Sequence, residues 1–320
     1  MKILFMYRDY RKRRKQYGEM LERLGHDVDF LYIKEKKIKN QITAKHIKKY
    51  NPDMIWLYSA YYVSRGVISE DALDYIKNKK ILMASYCTAD NEVPYTDNVD
   101  VWSKFDYLFL HYKPMADFLR TKGVNAYYSP LGFYPDQYYR SYSPNKSYDV
   151  SFHGTALRFR TLEKDKRVKY LESLGKFKTL AEGSFFPERI KNKSIKVKGK
   201  YKGHEYQRLA YSKSKINLGF PFMNCPHPFY EDQIYPTNRL FEIPATGNFL
   251  LTIKCPEFLD IYPEDAVGYY DDNIESLQEN VAKFLKDKET RKKMAENAYK
   301  IVQDHTYFHR FKEINRIITS

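Results

Sequence analysis

The chain has 320 residues, longer than one typical domain, and its 43% hydrophobic content is enough for two cores. Its three cysteines, Cys87, Cys225 and Cys255, are isolated and form no CxxC pair, which argues against a disulfide framework or a zinc site. No apolar run approaches the roughly 20 residues that cross a membrane, and the first six residues are typical of a strand rather than a signal peptide. These features predict a cytoplasmic protein of two domains.

The net charge of +15 is concentrated near the N-terminus, because residues 1–50 contain 15 basic and six acidic side chains. One interpretation is a binding surface for a polyanion such as nucleic acid, an anionic polymer or an acidic membrane. The other is a set of solvated helix faces. The cluster at 11–15 directly follows the first predicted strand, where ligand-facing loops lie in open α/β sheets. Arg11, Arg13 and Arg14 are therefore candidates for contact with an acceptor or a polyanion.

The first 130 residues alternate between short apolar strands and amphipathic helices. The pattern predicts strands over residues 2–7, 28–33, 54–58, 81–86, 105–111 and 125–129. It predicts helices over residues 16–24, 42–50, 69–78 and 114–122. Gly25 and Gly123 end two of these helices, and Pro52 follows another. This alternation is typical of a parallel sheet covered by helices.

Residues 134–148 are rich in Pro, Ser, Tyr and Asn and indicate a linker. The alternation then resumes, with strands predicted over 148–153, 177–181, 214–220, 249–252 and 268–270, and helices over 166–174, 205–212, 238–245, 274–286, 289–304 and 308–318. We therefore predict an α/β fold of two Rossmann-like, doubly wound domains that face a central cleft. The expected domains span 1–140 and 148–304, and a helix in 305–320 could pack back on the N-terminal domain.

Polar residues cluster where the short helix over 238–245 begins, at Thr237, Asn238, Arg239 and Glu242. Unpaired amides at a helix start carry partial positive charge and attract phosphate. Arg239 and Glu242 are three residues apart and share a helix face, so one can reach a phosphate and the other a ribose hydroxyl. The alternative is an ordinary capped helix with a surface ion pair.

A second candidate lies where the predicted strand over 148–153 runs into Gly154 and Thr155. A glycine there lets the backbone approach a ligand closely. Arg158 and Arg160 follow in the next loop and could neutralise a leaving diphosphate. The segment matches neither a GxGxxG fingerprint nor a Walker A loop, which disfavours a dehydrogenase or an NTPase. Nor does the long loop over 221–236 match a standard metal-ligand spacing.

Candidate acids and bases in the first domain follow predicted strands. Asp90 and Glu92 come after the strand over 81–86, and His111 ends the strand over 105–111. Each could accept the proton of an acceptor hydroxyl on the cleft side. A helix cap or a turn is the structural alternative for the two acids.

The second half of the chain resembles glycosyltransferases of the GT-B fold, and within them the spore-coat CgeB type. That family typically has an Arg-x-Phe-Glu pattern followed by a small residue, Gly, two hydrophobic residues and Thr. The corresponding residues here are Arg239-Leu240-Phe241-Glu242, Gly247 and Leu250-Leu251-Thr252. The resemblance closes with His305-Thr306-Tyr307-Phe308-His309-Arg310, and weaker similarities lie at 90–94, 128–132 and 149–154.

The resemblance implies transfer of a sugar from a nucleotide-diphosphate sugar, with a UDP-sugar favoured, to a hydroxyl acceptor. The C-terminal domain would bind the donor and the N-terminal domain the acceptor. Glu242 would bind the ribose, Arg239 and the amides of Thr237 and Asn238 would lie near the diphosphate, and Gly154 would admit the donor. The broader group often has a second acid eight residues before this glutamate, a position that is Ile234 here.

The resemblance also implies a retaining, metal-independent reaction, without a tightly bound cofactor, in which the nucleotide sugar is a co-substrate. The acceptor would be a glycan, a protein or a nucleic acid. One alternative is a transferase directed to DNA or another polyanion through the basic N-terminal face. The other is a non-catalytic sugar- or nucleic-acid-binding module on the same scaffold.

Overall fold

The structure is a computed structural model that describes residues 1–7, 13–33, 39–87, 99–156, 165–199, 203–221 and 234–320. The chain divides into two compact units. The first contains Met1–Pro130 together with Phe308–Ser320, and the second contains Leu131–Tyr307. Residues 131–140, expected in the first domain, therefore group with the second unit.

The described part of the first unit contains a six-stranded parallel sheet with the strand order β2-β1-β3-β4-β5-β6. Its strands are β1 (Lys2–Tyr7), β2 (Asp27–Tyr32), β3 (Met54–Leu57), β4 (Leu82–Cys87), β5 (Tyr107–Leu110) and β6 (Ala126–Tyr128). Its helices are α1 (Arg13–Arg23), α2 (Ala44–Tyr50), α3 (Tyr61–Ser64), α4 (Glu70–Lys79), α5 (Val99–Trp102) and α6 (Lys113–Thr121). All four residues of β3 are buried, as expected for a central parallel strand covered on both faces.

The described part of the second unit repeats this architecture, with the strand order β12-β11-β10-β7-β8-β9 and parallel pairing throughout. Its strands are β7 (Tyr148–His153), β8 (Thr179–Glu182), β9 (Lys196–Lys198), β10 (Ser214–Gly219), β11 (Leu250–Ile253) and β12 (Gly268–Tyr270). Its helices are α7 (Lys166–Ser173), α8 (Phe186–Arg189), α9 (Gly203–Ser212), α10 (Arg239–Ala245), α11 (Pro256–Leu259), α12 (Ile274–Lys286) and α13 (Lys288–Val302).

The sheet of the second unit separates two hydrophobic cores. Successive side chains of a strand point to opposite faces, and in β11 Leu251 joins one core while Leu250 joins the other. Leu240 and Phe241 of α10 pack in the same core as Leu250. This packing fixes α10 beside the carboxyl ends of the central strands, because the buried face of the helix cannot rotate away from the sheet.

The segment predicted as a linker has ordered contacts within the second unit. Tyr138 is 1% exposed and belongs to the core around α10. The amide of Ser141 donates to the carbonyl of Thr246 (3.1 Å), and Arg140 forms a bidentate ion pair with Glu296 (2.7 and 2.8 Å). This segment is therefore part of the folded second unit, although its polar composition and lack of apolar periodicity are typical of a linker.

The two chain ends of the second unit run side by side. Phe133 and Thr306 form an isolated parallel bridge, and the amide of Tyr307 donates to the carbonyl of Phe133 (3.1 Å). A Cβ atom on Gly132 would lie 2.7 Å from the carbonyl oxygen of His305. Only glycine fits this approach without displacing backbone.

The last helix, α14 (Tyr307–Thr319), completes the core of the first unit. Phe311 is fully buried, and its ring centroid lies 5.2 Å from that of Tyr17, 5.7 Å from Trp56 and 6.0 Å from Tyr86. The first unit thus takes part of its core from the far end of the sequence.

The described residues contain neither a membrane-spanning helix nor a cluster of metal ligands. None of the helices there has the length and apolar character of a membrane span. No three His, Cys, Asp or Glu side chains in those ranges cluster as ligands for a metal ion.

We expect Phe311→Ala to destabilise the protein by about 3–5 kcal/mol, the usual cost of removing a large ring from a packed core. Urea unfolding followed by tryptophan fluorescence measures the effect, since Trp56 contacts this ring. Phe308→Ala on the same helix is the matched control, because Phe308 is only half-buried and should cost less. Equal losses for the two variants would contradict the role given to Phe311.

Candidate functional site

The candidate site begins at the carboxyl end of β7, where two glycines bring neighbouring loops together. The amide of Gly154 donates to the carbonyl of Glu182 (2.9 Å) at the end of β8. A Cβ atom on Gly183 would lie 1.4 Å from the carbonyl oxygen of Gly154, and Gly183 has a φ of +147°. No side chain is tolerated at residue 183, so the backbone after β7 rests directly on that after β8.

Thr155 follows Gly154 and is held by a buried arginine. Arg167 of α7, 4% exposed, donates from Nη1 to the Thr155 carbonyl oxygen (2.6 Å). Its guanidinium lies 5.9 Å from the ring centroid of Phe152. Arg167 therefore holds the backbone of the loop after β7 in place through the Thr155 carbonyl.

Arg239, the first residue of α10, approaches the same glycine turn. Its guanidinium lies 5.0 Å from the ring centroid of Phe152, and Nη1 lies 3.0 Å from the position that a Cβ on Gly154 would occupy. Its Nε is buried and has no hydrogen-bond partner among the described residues. A buried guanidinium N–H without an acceptor costs free energy, so this arrangement favours an anionic ligand beside Gly154.

Thr237 supplies a second polar atom near the start of α10. Its side chain is 7% exposed, and its Oγ1 has no partner within the described ranges. Asn238 behaves differently, because its Oδ1 accepts a hydrogen bond from the Tyr307 hydroxyl (3.0 Å). The Asn238 side chain therefore ties α10 to the end of the second unit.

Glu242 lies one turn after Arg239 and is 6% exposed. Its Oε2 accepts a hydrogen bond from the Tyr211 hydroxyl of α9 at 3.5 Å. A carboxylate that is nearly buried requires hydrogen-bond donors, and ribose hydroxyls are suitable ones. The two residues that share a helix face in the sequence thus offer a cation and an acceptor on one turn.

A buried hydrogen-bond network supports the glycine turn from the strand side. His153 Nδ1 lies 3.0 Å from Glu182 Oε2, and the Tyr206 hydroxyl donates to Glu182 Oε1 (2.7 Å). His153 Nε2 lies 3.2 Å from Ser151 Oγ, which donates to Asn217 Oδ1 (3.1 Å). The network joins β7, β8, β10 and α9 at one end of the sheet.

The protonation of this network follows from its surroundings. Burial lowers the pKa of His153, although the neighbouring Glu182 carboxylate opposes that effect. Burial alone raises the pKa of Glu182, but the hydrogen bonds from His153 and Tyr206 outweigh it, and the pKa lies below its usual value. Near neutral pH the pair is thus a carboxylate beside an imidazole that resists protonation.

In the first unit, His111 follows β5 and is 3% exposed. Its Nδ1 donates to the carbonyl of Cys87 (2.8 Å) at the end of β4. This bond fixes the tautomer of the neutral imidazole, in which the basic lone pair is on Nε2. The geometry is compatible with the predicted role of His111 as a base.

Several predicted site residues lie outside the described residues, namely Asp90, Glu92, Arg158, Arg160 and Arg11. Arg13 and Arg14 are within α1, but only their backbone is described. Ile234, at the position eight residues before Glu242, is half-buried and packs against both cores of the second unit. An apolar side chain thus takes the place where the broader group often has an acid.

Glu182, Tyr206 and Tyr211 belong to this site, although the sequence does not distinguish them from other residues of their type. Glu182 ends a strand that reads Thr-Leu-Ala-Glu, and the two tyrosines are among 31 in the chain. Only the position of Glu182 could have identified it, since this residue ends an apolar strand at the same edge of the sheet as Gly154.

The two parallel sheets with flanking helices are those of the GT-B fold, which confirms the predicted fold class. Sucrose-phosphate synthase from Thermosynechococcus elongatus is similar with a TM-score of 0.69 at 11% identity, over 100% of this chain and 98% of that chain. Anabaena HepE in complex with UDP and glucose has a TM-score of 0.67 at 12% identity, over 100% and 99%. At these identities the similarity establishes the fold.

The UDP-forming α,α-trehalose-phosphate synthase from Burkholderia xenovorans, in complex with glucose-6-phosphate, has a TM-score of 0.67 at 10% identity, over 100% of both chains. A family model described as glycosyl transferase-like matches residues 160–316. A search of curated proteins finds no match. The chain is thus similar to glycosyltransferases in fold and in the sequence of most of its second unit, and the CgeB type stays a prediction.

We expect the protein to lose stability as the pH falls from 7 to 5, in part through His153. The pKa of this buried imidazole is lowered, so the unfolded chain takes up a proton below about pH 6.5 that the native state resists. One such group contributes a slope of at most about 1.4 kcal/mol per pH unit. Stability is fully retained above the unfolded pKa and lost below it.

Urea unfolding at several pH values, for the wild type and His153→Asn, measures this contribution. The titrating groups away from Glu182 are common to the two proteins, so the difference in slope belongs to the His153–Glu182 pair. Parallel profiles would contradict the lowered pKa of His153.

Proposed function

We propose that the protein is a glycosyltransferase that moves a sugar from a nucleotide-diphosphate sugar to a hydroxyl acceptor, with a UDP-sugar as the favoured donor. The observation that carries the proposal is the approach of Arg239 to the Gly154 turn, one helical turn before the nearly buried Glu242. The glycosyl transferase-like match over residues 160–316 supports it. The UDP named with HepE and the UDP-forming neighbour motivate the choice of nucleotide.

In this proposal the second unit binds the donor. Arg239 and Thr237 hold the diphosphate, because a guanidinium with a buried Nε and a hydroxyl supply donors that charged phosphate oxygens accept strongly. Gly154 lets the Phe152 ring and the Arg239 guanidinium come close to the backbone, since a Cβ there would lie 2.7 Å from Phe152 Cζ and 3.0 Å from Arg239 Nη1. Glu242 accepts hydrogen bonds from the ribose hydroxyls. Arg158 and Arg160 remain candidates for the same diphosphate.

The transfer breaks the bond between the anomeric carbon and the diphosphate oxygen, and the electron pair leaves with the nucleoside diphosphate. A new bond forms from the acceptor hydroxyl oxygen to the anomeric carbon, and the hydroxyl proton passes to a base or to the leaving phosphate. Arg239 stabilises the negative charge that develops on the leaving group, so electrostatic stabilisation is the main catalytic contribution. We propose retention of configuration and no metal requirement, both on the family resemblance.

We further propose that the first unit binds the acceptor and supplies the base. His111 is the candidate whose geometry is described, with Nδ1 committed to the Cys87 carbonyl. Asp90 and Glu92 stay candidates for the same role. The isolated, buried Cys87 and Cys255 are compatible with a cytoplasmic location.

The alternatives are a polyanion-directed transferase and a non-catalytic module. The solved structures described above give no support to nucleic acid as acceptor, and residues 11 and 12 of the basic cluster at 11–15 lie outside the described residues. Turnover separates an enzyme from a binding module.

The first test is calorimetric titration with UDP-, GDP- and dTDP-sugars, followed by an assay of nucleoside diphosphate release with EDTA present. We expect UDP-glucose or another UDP-sugar to bind most tightly and to be slowly hydrolysed without an acceptor. Binding without any release of UDP would favour the non-catalytic module. No binding of any nucleotide sugar would overturn the proposal.

Arg239→Gln should weaken UDP binding roughly ten- to a hundredfold, the effect of losing hydrogen bonds to a charged group. The affinity for uridine, which has no phosphates, should change little. Arg120→Gln in the first unit is the matched control, since Arg120 is exposed and pairs with Asp117. An equal loss for UDP and uridine would contradict a phosphate contact by Arg239.

A further inference from the structure

A line of hydrogen bonds runs from the surface of the second unit to Glu242. The line consists of five residues. In order they are His204, Tyr138, Gln207, Tyr211 and Glu242, of which His204, Gln207 and Tyr211 belong to α9 and Tyr138 to the segment before β7. The three α9 residues follow the spacing i, i+3, i+7 and so lie on one helix face. Gln207, Tyr138 and Tyr211 are 2%, 1% and 0% exposed, so water cannot replace these bonds.

The amide oxygen of Gln207 faces Tyr138 and its NH2 faces Tyr211, and the directions of the bonds follow from this orientation. The Tyr138 hydroxyl donates to Gln207 Oε1 (2.8 Å), so His204 Nδ1, 2.9 Å away, must donate to Tyr138. Gln207 Nε2 donates to the Tyr211 hydroxyl (2.7 Å), which in turn donates to Glu242 Oε2 (3.5 Å). Every member therefore donates toward the carboxylate, and a chain polarised in one direction strengthens its own links.

The orientation of the Gln207 amide decides whether the Tyr211 hydroxyl can donate to Glu242. With its Oε1 occupied by the Tyr138 hydroxyl, the amide presents its NH2 to Tyr211. A flipped amide would present its oxygen and draw the Tyr211 hydroxyl hydrogen away from Glu242. The ring of Tyr211 is held independently, because it packs edge-to-face on His153 with centroids 5.4 Å apart.

We infer that Tyr211 is a positioning residue for nucleotide recognition, which orients the Glu242 carboxylate toward the ribose, and that Gln207 and Tyr138 keep the Tyr211 hydroxyl aimed at it. The inference rests on the proposed function, since it gives Glu242 a ribose to bind. In this role Tyr211 acts through Glu242 and not on the substrate. Its hydroxyl lies 3.5 Å from one carboxylate oxygen and favours the Glu242 rotamer that keeps this contact, which lowers the ordering cost of nucleotide binding.

Calorimetric titration of UDP and of 2′,3′-dideoxy-UDP tests this role. Tyr211→Phe keeps the ring on His153 and removes only the hydroxyl. We expect UDP affinity to fall about tenfold, with little change for the dideoxy nucleotide, which lacks the ribose hydroxyls. In a Glu242→Gln background the same substitution should cause no further loss. Tyr138→Phe should act in the same direction with a smaller effect.

Tyr269→Phe is the matched control, because it removes a hydroxyl that donates to the Tyr262 carbonyl (2.8 Å) in the same unit. It should leave both affinities unchanged. Equal UDP affinity in the wild type and Tyr211→Phe would overturn this inference alone. So would an equal loss for UDP and dideoxy-UDP, or an undiminished loss in the Glu242→Gln background. A wild type that binds no UDP would overturn the proposed donor, and this inference with it.

Discussion

The contact between the backbones of Gly154 and Gly183 is the constraint on which the rest of the site depends. With the carbonyl of Gly154 in the space of a side chain at residue 183, the loops after β7 and β8 cannot separate or change register independently. Two further bonds continue this contact, from Ala156 to the Ser184 carbonyl and from Gly183 to the Lys198 carbonyl. Three neighbouring strands therefore end in one rigid edge, and Arg239 approaches a surface whose position is fixed.

Around this edge the protein buries polar groups that are costly without partners. His153 and Glu182 satisfy one another beneath the turn, and Tyr206 donates a second hydrogen bond to Glu182. Helix α9 donates hydrogen bonds to two carboxylates, from Tyr206 to Glu182 and from Tyr211 to Glu242. The buried Nε of Arg239, in contrast, has no hydrogen-bond partner in the described part of the chain. A bound anion would supply the missing acceptor.

The architecture was predictable from the sequence because apolar strands buried on both faces are locally distinctive. The run Met54–Leu57 and the strand Tyr148–His153 appear at or next to their predicted bounds. Strand β9 was missed, since an edge strand of three residues with lysines at both ends has hardly any hydrophobic pattern. Short helices such as α8 have too few turns for periodicity to show.

The site was predictable only in part. Arg239, Glu242 and Gly154 could be found because a helix start and a strand end are visible in the sequence. Tyr211 and Glu182 could not, because their roles arise from contacts over 31 and 29 residues of sequence separation. Composition indicated a loose connection around Tyr138, yet its hydroxyl bonds to α9 place it in the core. A residue's role in a network is set by tertiary packing, which local patterns do not encode.

The parallel bridge between Phe133 and Thr306 gives the molecule the topology of an inserted domain. The second unit begins and ends at adjacent backbone segments, and the first unit is interrupted between Pro130 and Phe308. During synthesis the ribosome releases every residue of the second unit before Phe308–Ser320, which carries Phe311 to the core of the first. The strands of the first unit are thus synthesised before the second unit, but their core is completed only after it. A nascent chain that stalls before residue 308 exposes the aromatic surface of Tyr17, Trp56 and Tyr86 that α14 covers.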